Sequence, residues 1–170
     1  MKRYSLELFL IALATIARLI PHPWNFTPLG SFAIYAGAKR PVLSAILVPL
    51  SVLFISDLYV GFYNPIVMVF VYLGFLAMPT IARLFLKSNW KQGRWLAVVG
   101  LGAVVFYLLS NFGVWAAGYY PPTLAGLIAA YFAGLPFLGI SFIGDAFYTF
   151  VIFNVSEIVE KRSAWGGVSA

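Results

Sequence analysis

Three charged side chains lie inside or at the end of long apolar stretches of the sequence. Asp57 and Asp145 are two of the five acidic residues, and Arg18 closes the first apolar segment. A charge in such surroundings is a candidate functional residue, which normally faces a partner or a wet cavity. Two chemistries are open to this set. One is an ion pair that fastens helices, formed by Arg18 with Asp57 or with Asp145; the other is an aspartate pair that acts as acid and base.

Polar side chains without a charge are better candidates for binding a ligand. Asn25 and Asn111 form hydrogen bonds without the cost of burying a charge, although Asn25 is equally well placed to cap the helix that follows it. His22 stands between two prolines with no acid or cysteine close by in sequence, so we expect it to form a hydrogen bond in a pocket. The chain has no cysteine, which excludes disulfides and thiol chemistry. We expect no metal and no cofactor.

Aromatic residues accompany the two asparagines. They would supply the apolar walls of a small-molecule site while the amides fix the polar edge of the ligand, a division of roles that is usual in such sites. Aromatic walls favour a flat heterocyclic compound. The predicted substrate-binding residues are His22, Trp24, Asn25, Asp57, Asn111, Trp115, Tyr119 and Tyr120.

The elements that position these residues are predicted to be membrane helices. Of 170 residues, 62% are hydrophobic and 9% are charged, whereas a soluble domain carries roughly 25% charged residues. The apolar runs are continuous and do not alternate with polar residues, which indicates helices and not a β-barrel. At about 20 residues per crossing, six helices leave no room for a second domain. Residues 1–170 are therefore predicted to form a single transmembrane domain.

Basic residues mark one end of these helices. They cluster at Lys2–Arg3, at Lys39–Arg40, between Arg83 and Arg94, and at Lys161–Arg162, whereas alternate connections carry almost no charge. Cytoplasmic loops collect Lys and Arg, so both termini are predicted to be cytoplasmic. The net charge of +6 therefore reflects topology. Because the positive charges are scattered between apolar segments, we expect no nucleic acid as a partner.

The C-terminal third of the chain needs more than one element in this scheme. As a single helix, Leu124–Glu160 would span roughly 55 Å, which is too long for one crossing, and three crossings do not fit. We therefore expect Thr123–Leu138, ended by Pro136, to form a re-entrant or interfacial helix on the outer side. The six crossing helices are predicted at Tyr4–Ile20, Thr27–Ala38, Pro41–Phe62, Pro65–Leu86, Trp95–Gly118 and Gly139–Val159.

The second of these helices is unusually short. Its roughly 18 Å falls below the hydrocarbon thickness of about 30 Å. Thr27 is predicted as its N-cap and Pro28 as its first residue. A helix that begins within the membrane aims unpaired N–H groups at a cavity, as the half-helices of transporters do toward anionic groups of a substrate. The preceding segment, Pro21–Phe26, is expected to line that cavity.

Depth along the helices gathers the polar residues into one layer. Counted from the cytoplasmic ends, Arg18, Asp57 and Asn111 each lie roughly 24 Å up their helices. Asp145 lies about 9 Å below the outer end of the last helix by the same rise. We therefore predict a pocket that opens outward and is lidded by the segment that ends at Pro136.

Four motifs resemble a family of uncharacterised bacterial membrane proteins. They are Arg18-Leu-Ile-Pro-His-Pro-Trp-Asn-Phe-Thr-Pro28, Ser56-Asp57 with Gly61-Phe62, Ser110-Asn-Phe-Gly-Val-Trp115, and Pro136-Phe137 with Gly144-Asp145. The resemblance covers nearly the whole chain. That family is in turn similar to the substrate-binding S components of energy-coupling factor (ECF) vitamin transporters in size, number of helices and placement of the outer loops.

The resemblance implies an all-α, ECF S-component-like fold in the bacterial inner membrane, crossed several times. It implies uptake of a vitamin-like small molecule bound from outside, with the lipid bilayer and an ECF coupling subunit with ATPases as partners. The chain itself would not be an enzyme. Two other classes stay open: an intramembrane enzyme that uses Asp57 and Asp145, and a structural or assembly subunit.

Overall fold

The computed structural model describes residues 3–19, 26–86 and 93–166, with side chains described for 11–19, 26–86 and 93–158. Within these ranges the chain forms six α-helices and no strand, which confirms the predicted all-α class. The helices are α1 Arg3–Leu19, α2 Leu29–Lys39, α3 Val42–Val60, α4 Pro65–Leu86, α5 Arg94–Ala116 and α6 Leu124–Gly166.

Four of the helices are long and apolar enough to cross a bilayer. They are α3, α4, α5 and the part of α6 from Leu124 to Ile158. Large apolar side chains cover their outward faces, among them Val60, Leu84 and Phe132, each more than two thirds exposed. An apolar surface of this extent is typical of a protein that faces lipid or a partner. The shorter helices are α1, with 17 residues, and α2, with 11.

Contacts between helices fix their directions. Gly74 and Gly113 pack against Phe106 and Phe70, so α4 and α5 run antiparallel. Gly134 of α6 lies against Asn111 of α5. Further along the pair, Gly100 of α5 lies near Phe142, so α5 and α6 are also antiparallel. Consecutive helices from α4 to α6 therefore point in alternating directions.

The short helix α2 occupies the centre of the bundle. It contacts all five other helices, and every residue from Leu29 to Gly37 is buried. Small residues permit this approach, because a methyl group at Gly37 would overlap the backbone of Pro79 in α4. Helix backbones that meet this closely are held by van der Waals packing, which is the main source of helix association in membranes.

The helix α6 differs from the prediction. Residues 124–166 form one continuous helix of 43 residues with Pro136 inside it, so the separate re-entrant helix at Thr123–Leu138 is wrong. Proline costs a helix interior about 3 kcal/mol, but this segment packs along α5. Tyr131 stacks with Tyr107 at a centroid distance of 5.6 Å, and the Tyr107 hydroxyl donates to the Tyr131 carbonyl at 2.6 Å. This packing holds the helix together across the proline.

The length of α6 is accommodated by extending it past its partner helix. At 1.5 Å per residue the helix is roughly 65 Å long. Trp95, in the first turn of α5, packs against Phe150 of α6 at 6.3 Å. The residues of α6 after Phe150 therefore continue beyond the end of α5. The prediction failed because it assumed that a helix must end where the bilayer ends.

Basic residues collect at one end of the bundle. Arg83, near the end of α4, donates a hydrogen bond to the Arg40 carbonyl between α2 and α3. Lys39 is exposed at the same connection, and Arg94 begins α5. The connections at the opposite end, 61–64 and 117–123, carry no charged residue. This asymmetry matches the predicted charge pattern. Lys87 and Lys91 lie outside the described residues.

Candidate functional site

The Asp57 carboxylate joins three helices. Arg18 of α1 donates to Asp57 Oδ1 at 3.2 Å, and the Tyr72 hydroxyl of α4 donates to Asp57 Oδ2 at 2.9 Å. Asp57 is 2% exposed. A buried carboxylate with a cation and a hydroxyl on its two oxygens is well satisfied. Of the two acids predicted as partners of Arg18, Asp57 forms the ion pair.

Asp145 belongs to α6, and its side chain lies against the first turn of α2. Its carboxylate packs directly over Gly30, where a methyl group would overlap it. The Ser31 hydroxyl donates to the Asp145 backbone carbonyl at 2.9 Å, and the Ser31 backbone N–H also donates to the Asp145 side chain. The N-cap of α2 is Pro28, one residue later than predicted, and it forms no side-chain capping bond. Asp145 supplies the anion at this helix terminus from another helix.

The depth predicted for Asp145 was wrong because the predicted start of its helix was wrong. The count of about 9 Å began at Gly139, whereas the helix begins at Leu124. Measured from the true start, Asp145 lies roughly 32 Å along the helix. It therefore lies near the middle of α6, level with the start of α2.

A cavity of about 250 Å³ opens between Arg18 and Asp145, at the start of α2. Its polar residues come from four separate segments of the chain, namely α1, the residues before α2, the connection between α3 and α4, and α6, and most of its large apolar ones come from α4. Among the polar residues are Arg18 and Asp145 themselves. The cavity is lined by Arg18, Thr27, Leu29, Gly30, Tyr63, Val71, Phe75, Met78, Phe106, Ser141 and Asp145.

A second cavity of about 210 Å³ adjoins the first between α4, α5 and α6. Val71, Phe106 and Ser141 line both cavities, so these side chains form the partition between them. Asn111 faces the second cavity, as predicted for a pocket residue, and its amide N–H donates to the Tyr107 carbonyl at 2.9 Å. The amide packs over Gly134, where a methyl group would overlap it.

The predicted aromatic walls lie apart from these inner cavities. Trp115, Tyr119 and Tyr120 surround a third cavity of about 560 Å³ at the turn between α5 and α6. The Trp115 indole N–H donates to the Pro121 carbonyl at 3.0 Å, and Tyr119 is 64% exposed. These aromatic residues are separated from the inner cavities because α6 begins directly after this turn and packs on α5. The single outer pocket that was predicted is therefore divided into three.

Three of the predicted site residues, His22, Trp24 and Asn25, lie outside the described residues. The next residue, Phe26, packs against Gly144 and stacks with the rings of Phe147 and Tyr148, at 6.3 Å and 5.4 Å. The chain therefore enters α2 alongside α6, beside the cavity. Thr27, predicted as a cap, lines the cavity.

The connection between α3 and α4 contributes Tyr63 to the cavity. Burial raises the pKa of Tyr63 to about 12, and the negative charge of Asp57 acts in the same direction. A neutral phenol is favoured in such surroundings because the phenolate would be poorly solvated beside a carboxylate. Tyr63 is therefore a hydrogen-bond donor at physiological pH.

Sequence reasoning missed most residues of the inner cavity, among them Tyr63, Phe75, Phe106 and Ser141. Phe75 and Phe106 stand in unbroken apolar runs, and their rings pack at 4.7 Å, so only the fold shows that they face a cavity. Ser141 stands two residues after Gly139, in a segment taken as the start of a new helix. Of these four residues, Tyr63 carried a signal in the sequence, because it lies in a charge-free connection two residues after Gly61.

Of the three comparisons with known proteins, the one with protein families gave a match. No curated protein and no solved structure matches the chain. One family profile matches residues 1–165, which is nearly the whole length. The chain therefore belongs to the family of unknown function DUF6580.

Proposed function

We propose that this protein is a substrate-binding membrane protein for uptake of a vitamin-like small molecule. The observation that carries the proposal is the cavity at the N-terminal end of α2, lined by both charged and aromatic residues in the centre of the bundle. Membrane helices associate by close packing of small and apolar residues. A protein that served only as a scaffold would gain stability by filling this space.

The size and lining of the inner cavities suit a small ligand. Ligand pockets typically measure about 300–1,000 Å³ and combine apolar walls with a few placed polar groups. The first cavity has about 250 Å³ and the second about 210 Å³. Because Phe106 stands between them, a change of its rotamer would join the two. A flat ring system of one or two rings fits that space.

The proposal includes the topology: the chain crosses the membrane six times and both termini lie in the cytoplasm. The uncharged connections would then face the outside and the basic ones the cytoplasm. In this orientation Tyr63 and Thr27 lie on the outer side of the cavity, so a ligand would enter from outside. This is the arrangement expected of a protein that captures nutrients in the bacterial inner membrane.

Labelling of single cysteines tests the topology, because the native chain has none. Cysteines at Tyr59 and Tyr119, both strongly exposed, should react with a membrane-impermeant thiol reagent in intact cells. Cysteines at Lys39 and Arg94, both exposed at the basic end, should react only after the cells are opened. The reverse pattern would contradict the orientation, and labelling of all four from outside would contradict the number of crossings.

Filling the cavity tests the binding function. Ser141 faces both inner cavities, so Ser141→Phe should occupy the space that a ligand needs. Ile143→Phe is the matched control, because Ile143 stands two residues away on the same helix and is 62% exposed. We expect small molecules that co-purify with the parent protein, identified by mass spectrometry, to be retained by Ile143→Phe and lost from Ser141→Phe. Equal retention by both variants, or no bound compound in the parent, would contradict the proposal.

The energising partner follows from the resemblance to S components, in which a coupling subunit and two ATPases drive release of the substrate. S components typically dock that subunit through an Ala-x-x-x-Ala pair on the first helix. In α1 the alanines are Ala12, Ala14 and Ala17, which do not have that spacing, and Ala14 is fully buried. Docking to such a subunit would therefore use a different surface in this protein.

The aspartyl-enzyme alternative receives no support from the geometry. A catalytic pair requires two carboxylates close enough to share a proton. Asp57 stands on α3 and Asp145 on α6, and no Cα of α3 lies within 8 Å of a Cα of α6. The central helix α2 separates them, and each carboxylate already accepts hydrogen bonds from other residues.

A further inference from the structure

The start of α2 is a place in the cavity where a substrate anion would be expected to bind. Free N–H groups and the positive end of the helix dipole favour a negative group there. The structure places the Asp145 carboxylate at that position, packed over Gly30 and bonded by Ser31. The protein itself therefore supplies the anion that the helix terminus attracts, and the position is closed to an anionic group of a ligand.

The charges around the cavity do not balance in the part of the chain that the structure describes. Arg18 is matched by Asp57 at 3.2 Å. Asp145 is 5% exposed and lines the cavity, and it has hydrogen bonds from Ser31 but no ion pair. A buried carboxylate without a cation is costly and normally marks a functional position within a membrane. Among the described residues that line the cavity, Asp145 is therefore the acid without an ion pair.

We propose that the central cavity binds a small organic cation: a flat ring that carries a protonated amine or amidine, with its N–H groups directed to Asp145. This inference rests on the proposed binding function and names the chemical class of the ligand. Such a cation would restore the charge balance at Asp145. A carboxylate or phosphate group in the same place would instead add a second negative charge to a space of low dielectric, where repulsion is strong.

The remaining walls of the cavity suit the same ligand. Phe75 and Phe106 present aromatic rings to the space, and a cation attached to or near a flat ring is attracted to aromatic faces. The hydroxyls of Thr27 and Ser141 also line the cavity, and both accept hydrogen bonds from N–H groups. Arg18, whose charge already serves Asp57, would limit the ligand to one cationic end.

Three monosubstituted benzenes of similar size and different charge test the charge of the ligand. Benzylamine is cationic at neutral pH, benzyl alcohol is neutral and benzoate is anionic. We expect benzylamine to raise the midpoint of thermal unfolding of the full-length protein in lipid nanodiscs, saturably with concentration, and the other two to have little effect. Asp145→Asn should weaken benzylamine binding by about tenfold or more. Glu157→Gln, which removes one negative charge roughly 18 Å along the same helix, should leave it unchanged.

The outcomes separate this inference from the proposed function. If benzoate or benzyl alcohol stabilises the parent protein more than benzylamine does, and Ser141→Phe abolishes the effect, the cavity binds ligands but the cation inference is wrong. If benzylamine acts equally on the parent and on Asp145→Asn, the role of Asp145 is wrong. If none of the three compounds acts on the parent, both the inference and the binding function are contradicted. The comparison of compounds on the parent holds even when Asp145→Asn does not fold.

Discussion

Replacing Arg18 with alanine is expected to destabilise the protein more than any other change of a charged residue described above. The substitution leaves the Asp57 carboxylate, which is 2% exposed, without its cation inside the bundle. Breaking a buried ion pair by removing one partner costs about 3–5 kcal/mol, and the Tyr72 hydroxyl, which still donates to Asp57, favours the lower end of that range. The midpoint of thermal unfolding in detergent should fall markedly.

Two further variants show whether the ion pair is responsible. Arg94→Ala removes an exposed arginine at the first residue of α5, and it should change the midpoint little. In the double variant Arg18→Ala/Asp57→Asn neither charge remains, so it should be more stable than Arg18→Ala alone, since coupled residues are not additive. A double variant that is less stable than Arg18→Ala would show that the loss comes from packing of the arginine and not from the unpaired carboxylate.

A single methyl group at Gly37 is expected to have an effect of similar size. The added carbon would overlap the carbonyl and Cα of Pro79, which are backbone atoms of a neighbouring helix and have no rotamer to change. Overpacking of this kind costs typically about 1–3 kcal/mol and occasionally more. Because α2 touches every other helix, its displacement would disturb the whole bundle, so we expect Gly37→Ala to lower the unfolding midpoint strongly.

Gly139→Ala is the control for this prediction. Gly139 lies inside α6 with no atom within 4 Å of the position of an added methyl group. Alanine is favoured over glycine in a helix by about 1 kcal/mol, so Gly139→Ala should leave the midpoint unchanged or raise it. The two identical substitutions should therefore shift the midpoint in opposite directions. A Gly37→Ala protein that melts with the parent would mean that α2 does not pack against Pro79.

The helices that could be predicted from the sequence are those whose ends carry local signals. Pro65 begins α4 and basic residues follow its end, and the predicted bounds of that helix, Pro65–Leu86, agree with the structure. The continuation of α6 through Pro136 could not be predicted in this way. Whether a proline ends a helix depends on what packs around it, and the contacts of Tyr131 and Gly134 with α5 exist only in the folded bundle.

The candidate site was predictable only where a charge requires a partner. Arg18 had to be neutralised inside the bundle, and depth along the helices was enough to suggest Asp57 as one of two possible partners. The position of Asp145 depended on the start of α6, which sequence alone placed wrongly. Phe75 and Phe106 carry no local signal at all, because an aromatic residue that faces a cavity and one that faces lipid stand in the same kind of apolar run.

The burial of α2 constrains the order in which the protein is assembled during synthesis. A segment needs about 20 apolar residues to enter the bilayer from the translocon by itself, whereas Leu29–Lys39 provides 11 residues. Its surroundings are built largely by helices that the ribosome makes later, α3, α4 and α6. The carboxylate that covers its first turn, Asp145, lies on α6 and emerges after α3, α4 and α5. It follows that α2 reaches its final position only after α6 has been made, and that a chain lacking α6 has its central helix without its N-terminal cover.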